Sequence, residues 1–386
     1  MRPNWRAVCL ITVAIASLAP MGTGTAASAS SRGGTAHRAK GCTSVTATVR
    51  VGGDPDGVAA DPETNTVYVT NISRNTVSVI SGRSNTVTAT VRVGSFPAKV
   101  AANPKTGTIY VANAASSTVS VISGRTNTVT ATIPVGSGPD GVAADPKTGT
   151  IYVANSGDNT ASVISGQTNT VTATIPVGGD PDGVAADPKT HTIYVANATS
   201  NTVSVISGRT NTVTATIPVA QFPQSVAVDP KTNTIYVTGM GPDEVTVISG
   251  QTDKIVAHVP FPLGTPRALA VNPATDTVYA VPGSDGTGSS AAVISGQTNT
   301  VVTNIPVGDM PDGVAVNSNT NIIYVANPNG SVSVLNGQTN KPLATISVGT
   351  APNGVAADPN TNRAYVANAP TDGSPFSVSV LGPCPL

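Results

Sequence analysis

The sequence is poor in charge and in aromatic rings. Charged residues make up 10% of its 386 residues and aromatic residues only 3%. Basic and acidic residues number 20 each, and 18 basic residues remain against 20 acidic ones if Arg2 and Arg6 are set aside. This small negative balance gives no indication of a nucleic-acid-binding surface. The low charge, with abundant Val, Ile and Thr, favours a folded chain built of strands.

Residue types that often carry catalysis are scarce too. The only tryptophan is Trp5, and the only glutamates are Glu63 and Glu244. The three histidines lie far apart in the sequence, at His37, His191 and His258. No cluster of Cys and His has the spacing of a transition-metal site. We therefore name no catalytic residue, and an enzyme is the less favoured interpretation.

The N-terminus has the pattern of a secretory signal. Two arginines in residues 1–6 precede an apolar run at 7–19, which is too short to span a bilayer. Small residues at 27–29 match a cleavage site, and Cys9 has no lipobox before it. We expect a signal peptide at 1–29, a flexible lead-in at 30–41 and one domain at 42–386. The mature protein is then secreted, with no membrane span.

The chain is an array of one repeated unit. All eight tyrosines belong to it, at successive gaps of 42, 42, 42, 42, 43, 45 and 41 residues: Tyr68, Tyr110, Tyr152, Tyr194, Tyr236, Tyr279, Tyr324 and Tyr365. A period near 40 residues is typical of solenoids and propellers.

Each unit contains four short strand patterns. In the fourth unit these are 184–186, 193–196, 203–206 and 213–219, separated by turn sequences such as Asp-Pro-Lys-Thr and Ser-Gly-Arg-Thr-Asn. Alternation at period two with short connections predicts an antiparallel meander of four strands.

The order of the strands within each unit also follows from composition. The fourth strand carries Thr on one face and proline at its end, which suits an outer edge. The first strand has side chains small enough to crowd round an axis. The pattern predicts an all-β fold, a β-propeller of four-stranded antiparallel blades. A parallel β-helix is the structural alternative.

Counting the outer-strand pattern gives eight copies, with the first at 45–51, before any inner strand. The last unit ends near Leu381 without an outer strand of its own. We therefore predict eight blades, with seven as the alternative, and a ring closed by the N-terminal strand. Cys42 and Cys384 flank this junction, and a disulfide between them would replace the missing covalent turn. Two unrelated free thiols are the alternative.

The runs Ile-Tyr-Val-Ala-Asn, Pro-Asp-Gly-Val-Ala and Val-Ser-Val-Ile resemble the YVTN-family β-propeller repeat, which includes the YncE-like group and surface-layer propellers. The resemblance covers about residues 45–381. It implies a propeller used for binding, adhesion or surface architecture, and it names no reaction.

One position at the start of each inner strand should face the axis. Around the ring it is Asp56, Ala98, Asp140, Asp182, Gln224, Arg267, Asp312 and Asn353. The four aspartates, Asp56, Asp140, Asp182 and Asp312, are a candidate ligand set for Ca²⁺, because carboxylate oxygens suit that ion. The alternative is that each Asp only caps its own Pro-Asp-Gly turn.

Blades two, five and six depart from the consensus on the same face of the ring. The departures suggest a recognition patch of exposed apolar and polar side chains, whose candidate residues are Phe96, Lys99, Phe222, Gln224, Met240 and Arg267. Simple decay of the repeat is the alternative explanation.

The sequence thus predicts an exported, monomeric binding module whose partner is an unidentified protein or cell-envelope component. The competing hypothesis is a hydrolase or lyase that uses the axial aspartates with a bound divalent cation.

Overall fold

The computed structural model describes residues 44–241, 243–283 and 288–383. The predicted signal peptide, the lead-in and both Cys42 and Cys384 lie outside these residues, so those predictions stay predictions. Within the described ranges the chain is almost entirely strands and turns, with one short 3-10 helix at Ile72–Arg74. No helix in these ranges has the length and apolar character needed to cross a membrane.

The strands form eight four-stranded antiparallel sheets. Strand β1 (Val45–Arg50) precedes the first complete sheet. Blade 1 contains β2 (Pro55–Asp61), β3 (Thr66–Asn71), β4 (Thr76–Ser81) and β5 (Thr86–Arg92). Blade 2 contains β6 (Pro97–Asn103), β7 (Thr108–Asn113), β8 (Thr118–Ser123) and β9 (Thr128–Pro134). Blade 3 contains β10 (Pro139–Asp145), β11 (Thr150–Asn155), β12 (Thr160–Ser165) and β13 (Thr170–Pro176). Blade 4 contains β14 (Pro181–Asp187), β15 (Thr192–Asn197), β16 (Thr202–Ser207) and β17 (Thr212–Pro218).

The second half of the ring repeats this arrangement. Blade 5 contains β18 (Gln221–Asp229), β19 (Thr234–Gly241), β20 (Glu244–Ser249) and β21 (Lys254–Pro260). Blade 6 contains β22 (Ala268–Asn272), β23 (Thr277–Val281), β24 (Ser290–Ser295) and β25 (Thr300–Pro306). Blade 7 contains β26 (Gly313–Asn317), β27 (Ile322–Asn327), β28 (Ser331–Asn336) and β29 (Lys341–Ser347). Blade 8 contains β30 (Pro352–Asp358), β31 (Arg363–Asn368) and β32 (Ser377–Leu381), with β1 as its fourth strand.

The predicted eight-bladed propeller is confirmed, and the seven-bladed and β-helix alternatives are wrong. The first strand of each blade is innermost and contacts the first strands of the neighbouring blades. The outer strands have alternately exposed and half-buried residues, and Pro134, Pro176 and Pro218 are the exposed last residues of theirs. Such an edge position tolerates the missing N–H of proline.

The ring closes as the sequence predicts. Strand β1 pairs antiparallel with β32, and Val45 lies opposite Leu381. Val49 of β1 packs in one cluster with Val58 and Val69 of blade 1 and Tyr365 of blade 8. The closing sheet therefore buries the same kind of apolar interface as the others.

The tyrosines join each blade to the next. All eight side chains are fully buried. Tyr152 of blade 3 extends to the Ser-Gly turn of blade 4, where a Cβ built on Gly208 would lie 2.6 Å from the Tyr152 hydroxyl. Tyr365 of blade 8 reaches the equivalent Gly82 of blade 1, at 2.7 Å. The tyrosine and the glycine of the repeat therefore belong to one contact made between neighbouring blades.

Two faces follow from the strand directions. One face carries the loops that enter the inner strands and the loops between the second and third strands, and we call it the top face. A hydrogen bond between these two loops, from Ala198 N–H to the carbonyl of Asp180 at 2.9 Å, shows that they lie side by side. The bottom face carries the remaining turns.

Candidate functional site

The residues after the entrance prolines lie at the top mouth of the central channel. Asp56 and Asp312 are buried there, whereas Asp140, Asp182 and Arg267 are partly exposed. Asp182 interacts electrostatically with Asp140 of blade 3 and with Arg267 of blade 6. The electrostatic field at Asp182 therefore includes contributions from charged residues of blades 3 and 6.

Lys99 contributes to the same mouth. Its Nζ lies 3.8 Å from Oδ2 of Asp56 in the neighbouring blade, and the residue is only 9% exposed. The sequence placed Lys99 among the exposed residues of the recognition patch. The structure instead places it in a buried ion pair, because it stands on the inner strand where five of the other seven blades have glycine.

The carboxylates of Asp140 and Asp182 form the anionic part of the mouth. Oδ1 of Asp140 is buried and has no hydrogen-bond partner among the described residues. Loss of hydration raises the pKa of Asp182 to about 8, and the neighbouring Asp140 carboxylate adds to the rise. Lys99 and Arg267 act in the opposite direction without cancelling it. Turn capping therefore does not account for Oδ1 of Asp140.

The predicted calcium ring gains no geometric support. Among the described residues, no group of three or more His, Cys, Asp or Glu side chains is placed to hold a metal ion. Asp56, Asp140, Asp182 and Asp312 do not form such a group, and the calcium site stays a prediction.

Large apolar side chains stand on the top face just before the entrance prolines. Phe96, Phe222 and Met310 are 42%, 48% and 41% exposed, and all three have a left-handed backbone, with φ of 55°, 46° and 52°. The equivalent residues in blades 1, 3 and 4 are Asp54, Gly138 and Asp180. A bulky residue in this conformation is unfavourable by about 1 kcal/mol, so the surrounding loop must hold it there.

An asparagine of the preceding blade holds two of these loops. The Phe96 N–H donates to Oδ1 of Asn75 at 3.0 Å, and the Phe222 N–H donates to Oδ1 of Asn201 at 2.9 Å. The two rings are therefore presented to solvent from ordered backbone.

The predicted patch divides into two parts. In blade 5, Gln224 stands two residues after Phe222, and its side-chain amide donates to Sδ of Met240 at 3.6 Å. The Thr238 hydroxyl donates to the backbone carbonyl of Arg267 at 3.2 Å, which joins blade 6 to this group. Phe96 and Lys99 lie in blade 2, three blades away. The sequence pattern does not single out Met310, because the Pro-Asp-Gly that follows it matches the consensus. Its position before the proline, which Phe96 and Phe222 share, is the feature that could have identified it.

The departures in blade 5 are coordinated. In blade 4, the buried Asn197 amide donates to Thr202 and Ser204 at 3.0 Å, and its side chain fills the space above Gly178. Blade 5 replaces that asparagine by Gly239, and a buried Ala220 stands in place of the glycine. Replacement of both partners keeps the packing, which random decay of one position would not do.

The comparisons with known proteins agree with this architecture. No protein-family model matches the chain, and no curated protein sequence does. A chain of Kuenenia stuttgartiensis hydrazine synthase superimposes with a TM-score of 0.60 at 19% sequence identity, over 85% of this chain and 95% of that one. The likeness at this identity concerns the fold alone. The resemblance to the YVTN repeat rests on the motifs quoted above.

Proposed function

We propose that the chain is an exported, monomeric β-propeller that binds a protein or a cell-envelope component through its top face. The observation that carries the proposal is the exposure of Phe96 and Phe222 in left-handed backbone, each held by an asparagine of the preceding blade. Strained backbone is retained where the surrounding structure imposes it, and such positions cluster at functional sites. Exposed aromatic side chains on ordered loops are typical anchors of interfaces.

The coordinated changes in blade 5 support the same face. The bottom turns barely vary between units, whereas the top loops of blades 2, 5 and 6 depart from the consensus. Sites commonly lie on variable loops held by a rigid scaffold.

The proposal is tested with immobilised protein and the envelope fraction of the source cells. We expect a component retained by the wild type to be lost when Phe96→Ser and Phe222→Ser are combined. Val256→Ser with Val302→Ser is the matched control, because both valines are exposed apolar residues of outer strands, at 53% and 54%. Equal retention by the top-face variant, or no retained component at all, would contradict the proposal.

A second candidate function is hydrolysis or elimination by the axial aspartates with a divalent cation. The observation that favours it is the raised pKa of Asp182 beside Asp140, since an acid next to a carboxylate is the arrangement that general acid–base catalysis uses. Ester, glycoside and uronide substrates are assayed with and without Ca²⁺. Turnover that vanishes in Asp140→Asn supports this function, and turnover no higher than that of an Asp140→Asn/Asp182→Asn variant refutes it.

A further inference from the structure

The two faces of the ring differ in charge. Among the described residues the top face carries eleven acidic side chains against five basic ones, a formal net charge of −6 with every carboxyl counted as ionised. The acidic ones are Asp54, Asp56, Asp140, Asp158, Asp180, Asp182, Asp243, Glu244, Asp309, Asp312 and Asp372. The basic ones are Arg50, Arg74, Arg92, Lys99 and Arg267. The bottom face carries eight acidic and ten basic side chains, a net charge of +2. The field at the top face therefore attracts cations.

The carboxyl groups of Asp140 and Asp182 lie together in this mouth, where an entering cation favours the ionised form of Asp182 over the protonated one. Lys99 is engaged by Asp56 at 3.8 Å, and the buried Oδ1 of Asp140 has no hydrogen-bond partner among the described residues. Desolvated carboxylates without donors are unfavourable unless an opposite charge meets them. An ammonium or guanidinium group between them supplies both the charge and the missing donors.

The positions of the exposed apolar side chains indicate the size of a ligand that would contact them. Phe96, Phe222 and Met310 belong to blades 2, 5 and 7, so they surround the mouth rather than lining one wall of it. A ligand that reaches the channel and also contacts two of these side chains has to extend across the face. A polypeptide segment meets that requirement.

We infer that the top face binds a polypeptide segment presenting a lysine or arginine side chain flanked by apolar residues. The basic group enters the mouth between Asp140 and Asp182, and the apolar side chains pack on Phe96 and Phe222. This inference rests on the proposed function and specifies the chemistry of its partner.

The test uses a displayed library of random linear peptides selected on the full mature chain. We expect the selected peptides to be enriched in Lys or Arg next to aromatic or aliphatic residues. Asp140→Asn combined with Asp182→Asn should weaken their binding at least about tenfold, because both carboxyl groups that pair with the basic side chain are lost. Affinity should also fall as ionic strength rises. Asp253→Asn on the bottom face is the control, and thermal unfolding confirms that each variant is folded.

Three results would overturn the inference: acidic or uncharged consensus peptides, affinity unchanged in the double Asn variant, or no enrichment. Acidic peptides that still lose binding on Phe96→Ser/Phe222→Ser would leave the proposed function standing. Binding that is insensitive to every top-face variant would refute both.

Discussion

At the scale of single residues, the protonation of Asp182 links the channel to stability. Its pKa rises from 3.8 to about 8 because the folded channel removes water and places Asp140 nearby. Between these values the folded chain binds more protons than the unfolded chain. The stabilisation from the protonated carboxyl is therefore complete below about pH 4 and is lost as the pH rises through about 8.

We expect Asp182→Asn to remove this dependence, since an amide mimics the protonated acid at every pH. The variant should be more stable than the wild type at pH 9 by at least about 1 kcal/mol and little changed at pH 4. Urea unfolding across the pH range measures the difference. Parallel curves for the two proteins would show that Asp182 has an ordinary carboxyl pKa.

The site was only partly predictable from residues. The repeat places Asp140 and Asp182 at equivalent positions, so the sequence shows that both face the axis. It does not show that Lys99 is engaged by Asp56, because that contact depends on the distance between two inner strands. The protonation of Asp182 depends in the same way on groups in three other blades.

At the scale of the strands, glycine determines how closely neighbouring inner strands approach each other. A Cβ built on Gly57 would lie 2.7 Å from the carbonyl oxygen of Ala98 in the next blade. A Cβ built on Gly183 would collide with the carbonyl oxygen of Gln224. Backbone atoms cannot move aside as a flexible side chain can. The Pro-Asp-Gly sequence is therefore a packing requirement between blades as well as a turn.

We expect Gly183→Ala to lower the free energy of unfolding by about 1–3 kcal/mol through overpacking. Gly241→Ala is the control, because the nearest atom to its added Cβ is 4.0 Å away and belongs to a side chain. Thermal and urea unfolding provide the measurement. Equal stability of the two variants would mean that the inner strands separate without penalty.

The strands themselves were largely predictable. Thr-Val alternation, Asp-Pro-Lys-Thr turns and proline at strand ends identify all four strands of a unit and their order from the axis. The contact of Tyr152 with Gly208 was not predicted, because nothing within a single repeat shows that its tyrosine reaches the following blade.

At the scale of the whole molecule, closure depends on pairing the two ends of the chain. Val45 lies opposite Leu381, and in the sequence Cys42 is three residues before Val45 and Cys384 is three residues after Leu381. We expect a disulfide between them, with a stabilisation of up to about 4 kcal/mol from the long loop it closes.

Alkylation of the denatured, unreduced mature protein should leave its mass unchanged, and reduction should lower the melting temperature. A Cys42→Ser variant should melt like the reduced wild type. Two alkylated thiols in the unreduced protein would disprove the bond.

The pairing of β1 with β32 also sets an order of events during synthesis. Strand β1 is the first strand of the propeller to be synthesised, and its partner β32, at Ser377–Leu381, is the last. Until β32 is made, the ring is incomplete and β1 has no strand to pair with. Pairing between strands so far apart in the sequence is slow, and it leaves unpaired strand edges exposed until it is complete. The open strand edges of the incomplete ring are therefore where this chain is most exposed to pairing with another chain before β1 and β32 meet.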